Sequence, residues 1–271
     1  MRNKLILLFL FSTLSMLHFS LDAVELRGEM TQGSLIRGKT APGTKILLDG
    51  KAIDVAETGE FAFGFSRDSV LEHVLTEISK DGQRKEKALN ITKREYNIQR
   101  IEGIPQKYVS PPPEVSARIK KDNQQVGLAR QTNDKRLDFT QDFIWPAEGP
   151  ISGVYGSQRV FNGEPRNPHY GVDVAAPTGT SVYAPADGIV TLFVPDMYYS
   201  GGTMIIDHGF GVSSTFLHLS KGLVAKGTKV KQGDLVAEIG ATGRVTGAHL
   251  DWRINWFKVR LDPRLLVPPR E

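Results

Sequence analysis

The chain has 271 residues, of which 40% are hydrophobic, 24% charged and 8% aromatic, as in an ordinary globular protein. Its net charge of +4 and pI near 9.2 suit an anionic surface such as a cell-wall polymer, but the basic residues are scattered and do not argue for nucleic acid. The absence of cysteine excludes disulfides and thiolate metal sites, so any metal must be held by histidine and carboxylates.

The first residues carry an export pattern. In MRNKLILLFLFSTLSML, Arg2 and Lys4 precede an uninterrupted apolar run over residues 5–11, and small polar residues follow. This pattern predicts a signal peptide over residues 1–23 and an exported protein of the periplasm or cell envelope. A membrane anchor is the alternative, but it needs about 20 apolar residues, and Ser12 and Thr13 interrupt this run. No other stretch is apolar enough to span a bilayer, so no membrane span is expected after cleavage.

Residues 24–95 read as short strands separated by turn signals. Asp49-Gly50 and Asp81-Gly82 are dipeptides typical of hairpins, and in EFAFGF the three phenylalanines alternate with small residues. Strands at such short intervals predict a small, immunoglobulin-like β-sandwich. Residues 96–143 are polar, with SPPPE leading into ARIKKDNQQVGLARQTNDKR, and predict a partly helical linker.

Residues 144–271 return to short alternating segments bounded by glycine, proline or aspartate, such as GIVTLFV, GTMIIDHG and HLDWRINW. They predict an all-β domain made of an antiparallel sheet. KGTKVKQGDLVAEIG, with its glycine turns between paired apolar residues, is typical of a barrel-sandwich arrangement. The whole chain is therefore expected to be all-β apart from the linker.

Three histidine settings in this last domain could carry chemistry. NPHYGVD places His169 four residues before Asp173, STFLHLS carries His218 at the end of a strand, and GAHLDW places His249 two residues before Asp251. In an extended strand the last two side chains lie on one face. Each segment alone also fits a purely structural role, such as a loop histidine, a half-buried histidine or a solvent-facing strand edge.

Together the three pieces resemble the M23 family of zinc metallopeptidases, the lysostaphin-type murein endopeptidases. The resemblance covers roughly residues 145–263 and includes HYGVDVAAPTGTSVYAPADGIV, IIDHGFGVSSTFLHLSKG and VKQGDLVAEIGATGRVTG. It implies that His169 and Asp173 are metal ligands, that His218 stabilises the charged intermediate, and that His249 acts on the attacking water. Asp251 stands where the family has a third ligand histidine.

The aspartate at position 251 separates two hypotheses. Aspartate can also ligate zinc, so the first is a metal-dependent endopeptidase that cleaves peptidoglycan stem-peptide cross-links, with one zinc or another divalent ion held by His169, Asp173 and Asp251. The second is a catalytically silent domain that binds peptidoglycan or activates another wall hydrolase. A metallopeptidase acting on a peptide outside the wall is a further alternative. The extra negative charge is expected to weaken the Lewis acidity of the ion.

Overall fold

The structure is a computed structural model, and it describes residues 24–102 and 113–270. The predicted signal peptide lies outside the described residues. Within them the chain is built from strands, short 3-10 turns and one α-helix, so the predicted all-β class is confirmed. No helix in those two ranges has the length and apolar character needed to cross a bilayer.

The described N-terminal part contains seven strands, namely β1 (Glu25–Arg27), β2 (Leu35–Lys39), β3 (Lys45–Leu48), β4 (Lys51–Ile53), β5 (Glu60–Gly64), β6 (Glu72–Ile78) and β7 (Arg84–Asn90). They pair in two small antiparallel sheets, in the orders β1-β2-β5 and β4-β3-β6-β7. Asp49 and Gly50 have positive φ angles and close the β3–β4 hairpin, as the sequence predicts.

The predicted linker contains one strand and the helix. Strand β8 (Ile98–Ile101) precedes the undescribed residues 103–112, and helix α1 (Ser116–Ala129) follows them. Val126 and Ala129 of the helix pack on a small apolar cluster of the C-terminal sheet. Arg118 pairs with Asp196 at 2.7 Å, which fixes the first turns of the helix to the same sheet. The linker therefore lies against the C-terminal domain along the helix.

Twelve strands follow in the C-terminal part. They are β9 (Ile151–Gly153), β10 (Gln158–Phe161), β11 (Glu164–Pro165), β12 (Val172–Ala175), β13 (Ser181–Tyr183), β14 (Gly188–Met197), β15 (Gly201–Asp207), β16 (Val212–Gly222), β17 (Lys229–Val230), β18 (Leu235–Ile239), β19 (His249–Trp256) and β20 (Val259–Leu261). Ten of them form one antiparallel sheet in the order β17-β14-β15-β16-β19-β12-β9, to which β13, β18 and β20 attach off that path. The other two, β10 and β11, form a separate sheet with β8, which runs parallel to β10.

The two halves of the chain share packing at β5. Phe61 and Phe63 are buried in the N-terminal core, whereas Ala62 points the other way and joins the core of the C-terminal domain. A Cβ placed on Gly64 would lie 2.7 Å from Cδ2 of Leu261, so the glycine allows β5 to approach β20 closely. The division of the chain into domains at residues 24–95, 96–143 and 144–271 stays a prediction.

Candidate metal centre

Two neighbouring strands bring the carboxylates of Asp173 and Asp251 together. Val172 and Val174 of β12 are buried in the core, so Asp173 between them faces the other side of the sheet. In the β12–β19 ladder Asp173 is the direct partner of Asp251. Like charges directly opposite each other destabilise a sheet. A cation shared between the two side chains would relieve this repulsion.

His169 completes a cluster of three potential ligands. One ligand atom from each of His169, Asp173 and Asp251 lies within 4.8 Å of the others, so these three residues could hold a metal ion. Nε2 of His169 is 3.0 Å from Oδ1 of Asp173 and 3.4 Å from Oδ2 of Asp251. Two donors that share a tetrahedral zinc ion at about 2.1 Å would be about 3.4 Å apart. The spacing therefore suits such an ion.

In each of the three histidines of the predicted site, Nδ1 faces a backbone carbonyl oxygen. Nδ1 of His169 is 3.3 Å from the carbonyl oxygen of Val154, Nδ1 of His249 is 3.0 Å from that of Gly247, and Nδ1 of His218 is 2.9 Å from that of Thr242. Because a carbonyl can only accept, Nδ1 carries the hydrogen in each ring. The lone pair of a neutral ring is then on Nε2, as a metal ligand or a general base requires.

His218 and His249 lie side by side at the edge of the cluster. Their ring centroids are 4.8 Å apart, and Nε2 of His249 is 3.9 Å from Oδ1 of Asp173. His218 has a φ of 65°, which is unusual for a residue with a side chain, and it falls beside a register shift in the β15–β16 ladder. The bulge turns the side chain of His218 toward His249. Such backbone strain is typical of functional positions.

Glycines make room for both carboxylates. A Cβ on Gly153 would lie 2.1 Å from Oδ2 of Asp173, and a Cβ on Gly171 would lie 2.4 Å from Oδ1 of Asp251. Oδ1 of Asp173 is buried, with Nε2 of His169 at 3.0 Å and Nε2 of His249 at 3.9 Å from it. A buried carboxylate oxygen in a tightly packed cradle is costly unless positive charge neutralises it. The residues present therefore fit a divalent ion.

Arg253 is the residue whose role the sequence did not reveal. Its guanidinium holds both oxygens of Asp251, with Nε at 2.9 Å from Oδ1 and Nη2 at 2.5 Å from Oδ2. The carboxylate is only 4% exposed and the arginine side chain 25% exposed, so the pair is largely buried. Alternation along β19 predicts that these two side chains share a face, but it does not predict that they bind each other.

Charge dominates the protonation of this cluster. Burial alone lowers the pKa of His169, but the adjacent carboxylates of Asp173 and Asp251 outweigh it and raise the pKa to about 10. Burial alone raises the pKa of Asp251, but the charge of Arg253 and hydrogen bonds from His169 and Arg253 lower it well below its usual range. The pKa of His218 is lowered, chiefly by burial. The cluster thus attracts positive charge at its centre while His218 stays neutral.

The nearby histidine of IIDHGFG is not part of the cluster. His208 is buried, and its ring bonds the carbonyl oxygen of Asp187 at 2.6 Å and the hydroxyl of Ser214 at 2.8 Å. Both ring nitrogens are therefore engaged in structural hydrogen bonds. Neither nitrogen is thus available to a metal ion.

The fold and the cluster are those of an all-β domain with three potential metal ligands. The model of the family described as Peptidase family M23 matches residues 167–263, which include all five predicted site residues. These residues carry a metallopeptidase domain of that family, and the resemblance stated from the sequence is confirmed.

The chain is also similar to named proteins. It is 40% identical over 111 residues to the peptidoglycan DD-endopeptidase ShyA of Vibrio cholerae, which covers 38% of this chain and 26% of ShyA. It is 43% identical over 89 residues to the DD-carboxypeptidase/endopeptidase Mpg of Neisseria gonorrhoeae, which covers 32% of this chain and 20% of Mpg. The chain thus spans about a quarter or less of the length of these relatives.

One solved structure resembles nearly the whole chain. A peptidase M23 crystal structure from Pseudomonas aeruginosa superposes with a TM-score of 0.67 at 26% identity, over 88% of this chain and 95% of the other. The similarity therefore extends beyond the family domain into the N-terminal half.

Proposed function

We propose that the protein is a divalent-metal-dependent endopeptidase that cleaves the peptide cross-links of peptidoglycan. The observation that carries this proposal is the convergence of His169, Asp173 and Asp251 within 4.8 Å, next to the paired rings of His218 and His249. The names of the similar proteins, peptidoglycan DD-endopeptidases among them, support the same substrate.

His169, Asp173 and Asp251 would hold the ion, and we propose zinc, because one imidazole and two carboxylates form a borderline donor set. When bound, a divalent ion supplies Lewis acidity at the scissile carbonyl and lowers the pKa of water. Arg253 offsets part of the extra negative charge that Asp251 brings. We therefore expect a centre whose net charge is close to that of a site with two histidines and one carboxylate.

His249 and His218 would move the protons of the reaction. Nε2 of His249 faces the cluster and is the base for the proton of the attacking water. His218 is neutral, with its Nδ1 hydrogen held by Thr242, so its Nε2 accepts a proton before it can donate one. We propose that this proton passes through the pair to the leaving amine. The neighbouring rings allow such a transfer over a short distance.

Export to the cell envelope forms part of the proposal. Peptidoglycan lies outside the cytoplasmic membrane, and the first residues carry the pattern of a cleaved secretory signal. The positive net charge suits an anionic wall polymer. Stem peptides are then the substrate, and nucleic acid is not an expected partner.

Metal analysis and digestion of purified murein would test the proposal. The protein is purified without added metal, its bound ions are measured by mass spectrometry, and cross-linked sacculi are digested before and after chelation. We expect about one divalent ion per chain, loss of cross-linked muropeptides, and loss of that activity in His249→Ala. If no ion co-purifies and no cross-link is cut with any divalent supplement, the proposal is wrong.

Arg253 favours a second candidate function. Its guanidinium already neutralises the carboxylate of Asp251 and could keep that carboxylate from binding an ion. A domain of that kind would bind peptidoglycan, or activate another wall hydrolase, without cleaving. Asp251→Ala and Asp251→His distinguish the two functions. An enzyme loses turnover with alanine and keeps or gains it with histidine, whereas a silent module binds sacculi equally in all three forms and cuts none.

A further inference from the structure

We infer that Arg130, Arg253 and Arg260 form a subsite that binds a carboxylate of the substrate peptide next to the scissile bond. This inference rests on the proposed endopeptidase function and specifies the substrate. The three arginines come from different parts of the chain, namely the residue after helix α1 and strands β19 and β20. None of them belongs to the set of ligands and proton carriers described above.

Strand register places the three arginines on one face. Arg253 and Asn255 are two residues apart in β19 and point to the same side. Arg260 is the direct partner of Asn255 in the β19–β20 ladder, and Thr215 is the direct partner of Arg253 in the β16–β19 ladder, so both share that side. Nη2 of Arg130 donates to the hydroxyl of Thr215 at 3.0 Å. The linker thus delivers a third guanidinium to the same surface.

The arginines act on one another electrostatically. Burial, together with the charges of Arg253 and Arg260, lowers the pKa of Arg130 to about 9. Burial and the charge of Arg253 also lower the pKa of Arg260. Three positive charges this close are costly unless negative charge lies nearby.

The available counter-charges are those that an ion would use. Arg253 binds both carboxylate oxygens of Asp251, and Asp173 is the direct partner of Asp251 in the β12–β19 ladder. Once a divalent cation binds, its two positive charges cancel the two carboxylates, and three arginine charges remain. The loaded centre is therefore flanked by uncompensated positive charge that attracts an anion.

Two donor groups on this face lack a hydrogen-bond partner within the described part of the chain. Nε of Arg130 and Nδ2 of Asn255 are buried and have no hydrogen-bond partner among the described residues. Arg260 is exposed, and its Cζ lies 4.2 Å from the ring centroid of Tyr170, the residue after His169. Arg260 is therefore open to solvent and adjoins the loop that carries His169, whereas Arg130 and Arg253 are less exposed.

A carboxylate fits this subsite by shape and charge. The planar fork of a guanidinium pairs with a carboxylate through two parallel hydrogen bonds. A peptide with a free carboxylate close to the scissile amide would be anchored by the arginines while the amide lies at the metal centre. Neutralising that carboxylate as an amide removes the attraction and leaves the peptide chain unchanged.

Paired substrates test the subsite. Two synthetic cross-linked peptides, identical except for a free or amidated carboxylate beside the scissile bond, are digested by the zinc-loaded full chain. We expect kcat/KM to favour the free carboxylate roughly tenfold to a hundredfold, the range of one charge-assisted hydrogen bond. In Arg260→Gln the preference falls toward one through a higher KM for the free acid, and Arg260→Lys restores part of it. Arg264→Gln, the same charge change at an exposed position nearby, keeps the full preference.

Binding to the inactive variant His249→Ala separates the two proposals. If the free acid binds this variant more tightly than the amide, and Arg260→Gln in the same background removes the difference, the subsite holds even when wild type cleaves neither peptide. If wild type cleaves both peptides at the same rate, or if Arg260→Gln keeps the preference, the subsite is refuted while the endopeptidase stands.

Discussion

Breaking the ion pair between Asp251 and Arg253 should show how much each residue contributes to the stability of the fold. We consider Asp251→Asn, Arg253→Met and the double variant, with stability measured by urea unfolding and tryptophan fluorescence. Removal of one partner of a buried pair costs about 3–5 kcal/mol. The side chain of Arg253 is 25% exposed and can be partly rehydrated, so we expect Asp251→Asn to lower the free energy of unfolding by about 3 kcal/mol.

Removal of the other partner, in Arg253→Met, should lower the free energy of unfolding by more. Arg253→Met leaves a carboxylate that is 4% exposed, with only His169 as a charged hydrogen-bond partner, and we expect about 4 kcal/mol. The double variant lacks both charges and should cost about 5 kcal/mol. The two single effects sum to about 7 kcal/mol, so the coupling energy is about 2 kcal/mol, within the range for residues in contact.

Zinc provides the decisive comparison. If Asp251 is a ligand, a bound ion replaces Arg253 as the partner of its charge, and the coupling should fall by at least half relative to protein treated with a chelator. A coupling that zinc leaves unchanged would refute Asp251 as a ligand. A coupling within about 0.5 kcal/mol of zero without metal would refute the stabilising role of the pair.

Three further outcomes can be measured. Gly153→Ala should weaken zinc binding at least about tenfold in a chelator competition, because its Cβ would lie 2.1 Å from Oδ2 of Asp173. The control is Gly127→Ala, whose Cβ would have no atom within 4 Å. Equal zinc affinities of the two variants would contradict the role of Gly153 in making room for Asp173. Burial lowers the pKa of His208 to about 4, below its ordinary 6.5, so the folded state binds fewer protons at this residue, and the contribution of His208 to the free energy of unfolding should fall by about 2 kcal/mol between about pH 7.5 and about pH 5. His208→Gln should remove that loss in urea unfolding, and an equal pH slope in both proteins would show the assignment to be wrong. Leu261→Ala should lower the free energy of unfolding by about 3 kcal/mol, and calorimetry should show one unfolding transition at a lower temperature. Two transitions, of which only one shifts to a lower temperature, would argue against shared packing of the two halves.

Local patterns were enough to predict most of the fold. The Asp49-Gly50 turn and the alternating phenylalanines depend on neighbouring residues, and the structure has the hairpin and the buried strand where the sequence predicts them. The helix of the linker is also present, although it has few apolar residues. Val126 and Ala129 suffice because the sheet already offers an apolar cluster to cover.

Contacts between distant segments were not predicted. The parallel pairing of β8 with β10 joins residues about sixty positions apart, and neither strand has a pattern that selects the other. For the candidate site, motif spacing predicted which histidines and carboxylates converge. The guanidinium that binds Asp251 and the reach of Arg130 across the sheet depend on side-chain directions, which periodicity does not determine.

The contacts around Gly156 have a consequence for how the protein can be dissected. Nε of Arg67, from the N-terminal half, donates to the carbonyl oxygen of Gly156 at 3.0 Å, and the amide of Gly156 donates to the carbonyl oxygen of His169 at 2.8 Å. Two hydrogen bonds thus join the front half to the backbone of a candidate ligand. We expect a fragment that begins at residue 144, and therefore lacks Arg67, to hold the backbone of His169 less firmly. A different N-terminal module would have to supply an equivalent arginine to restore that contact.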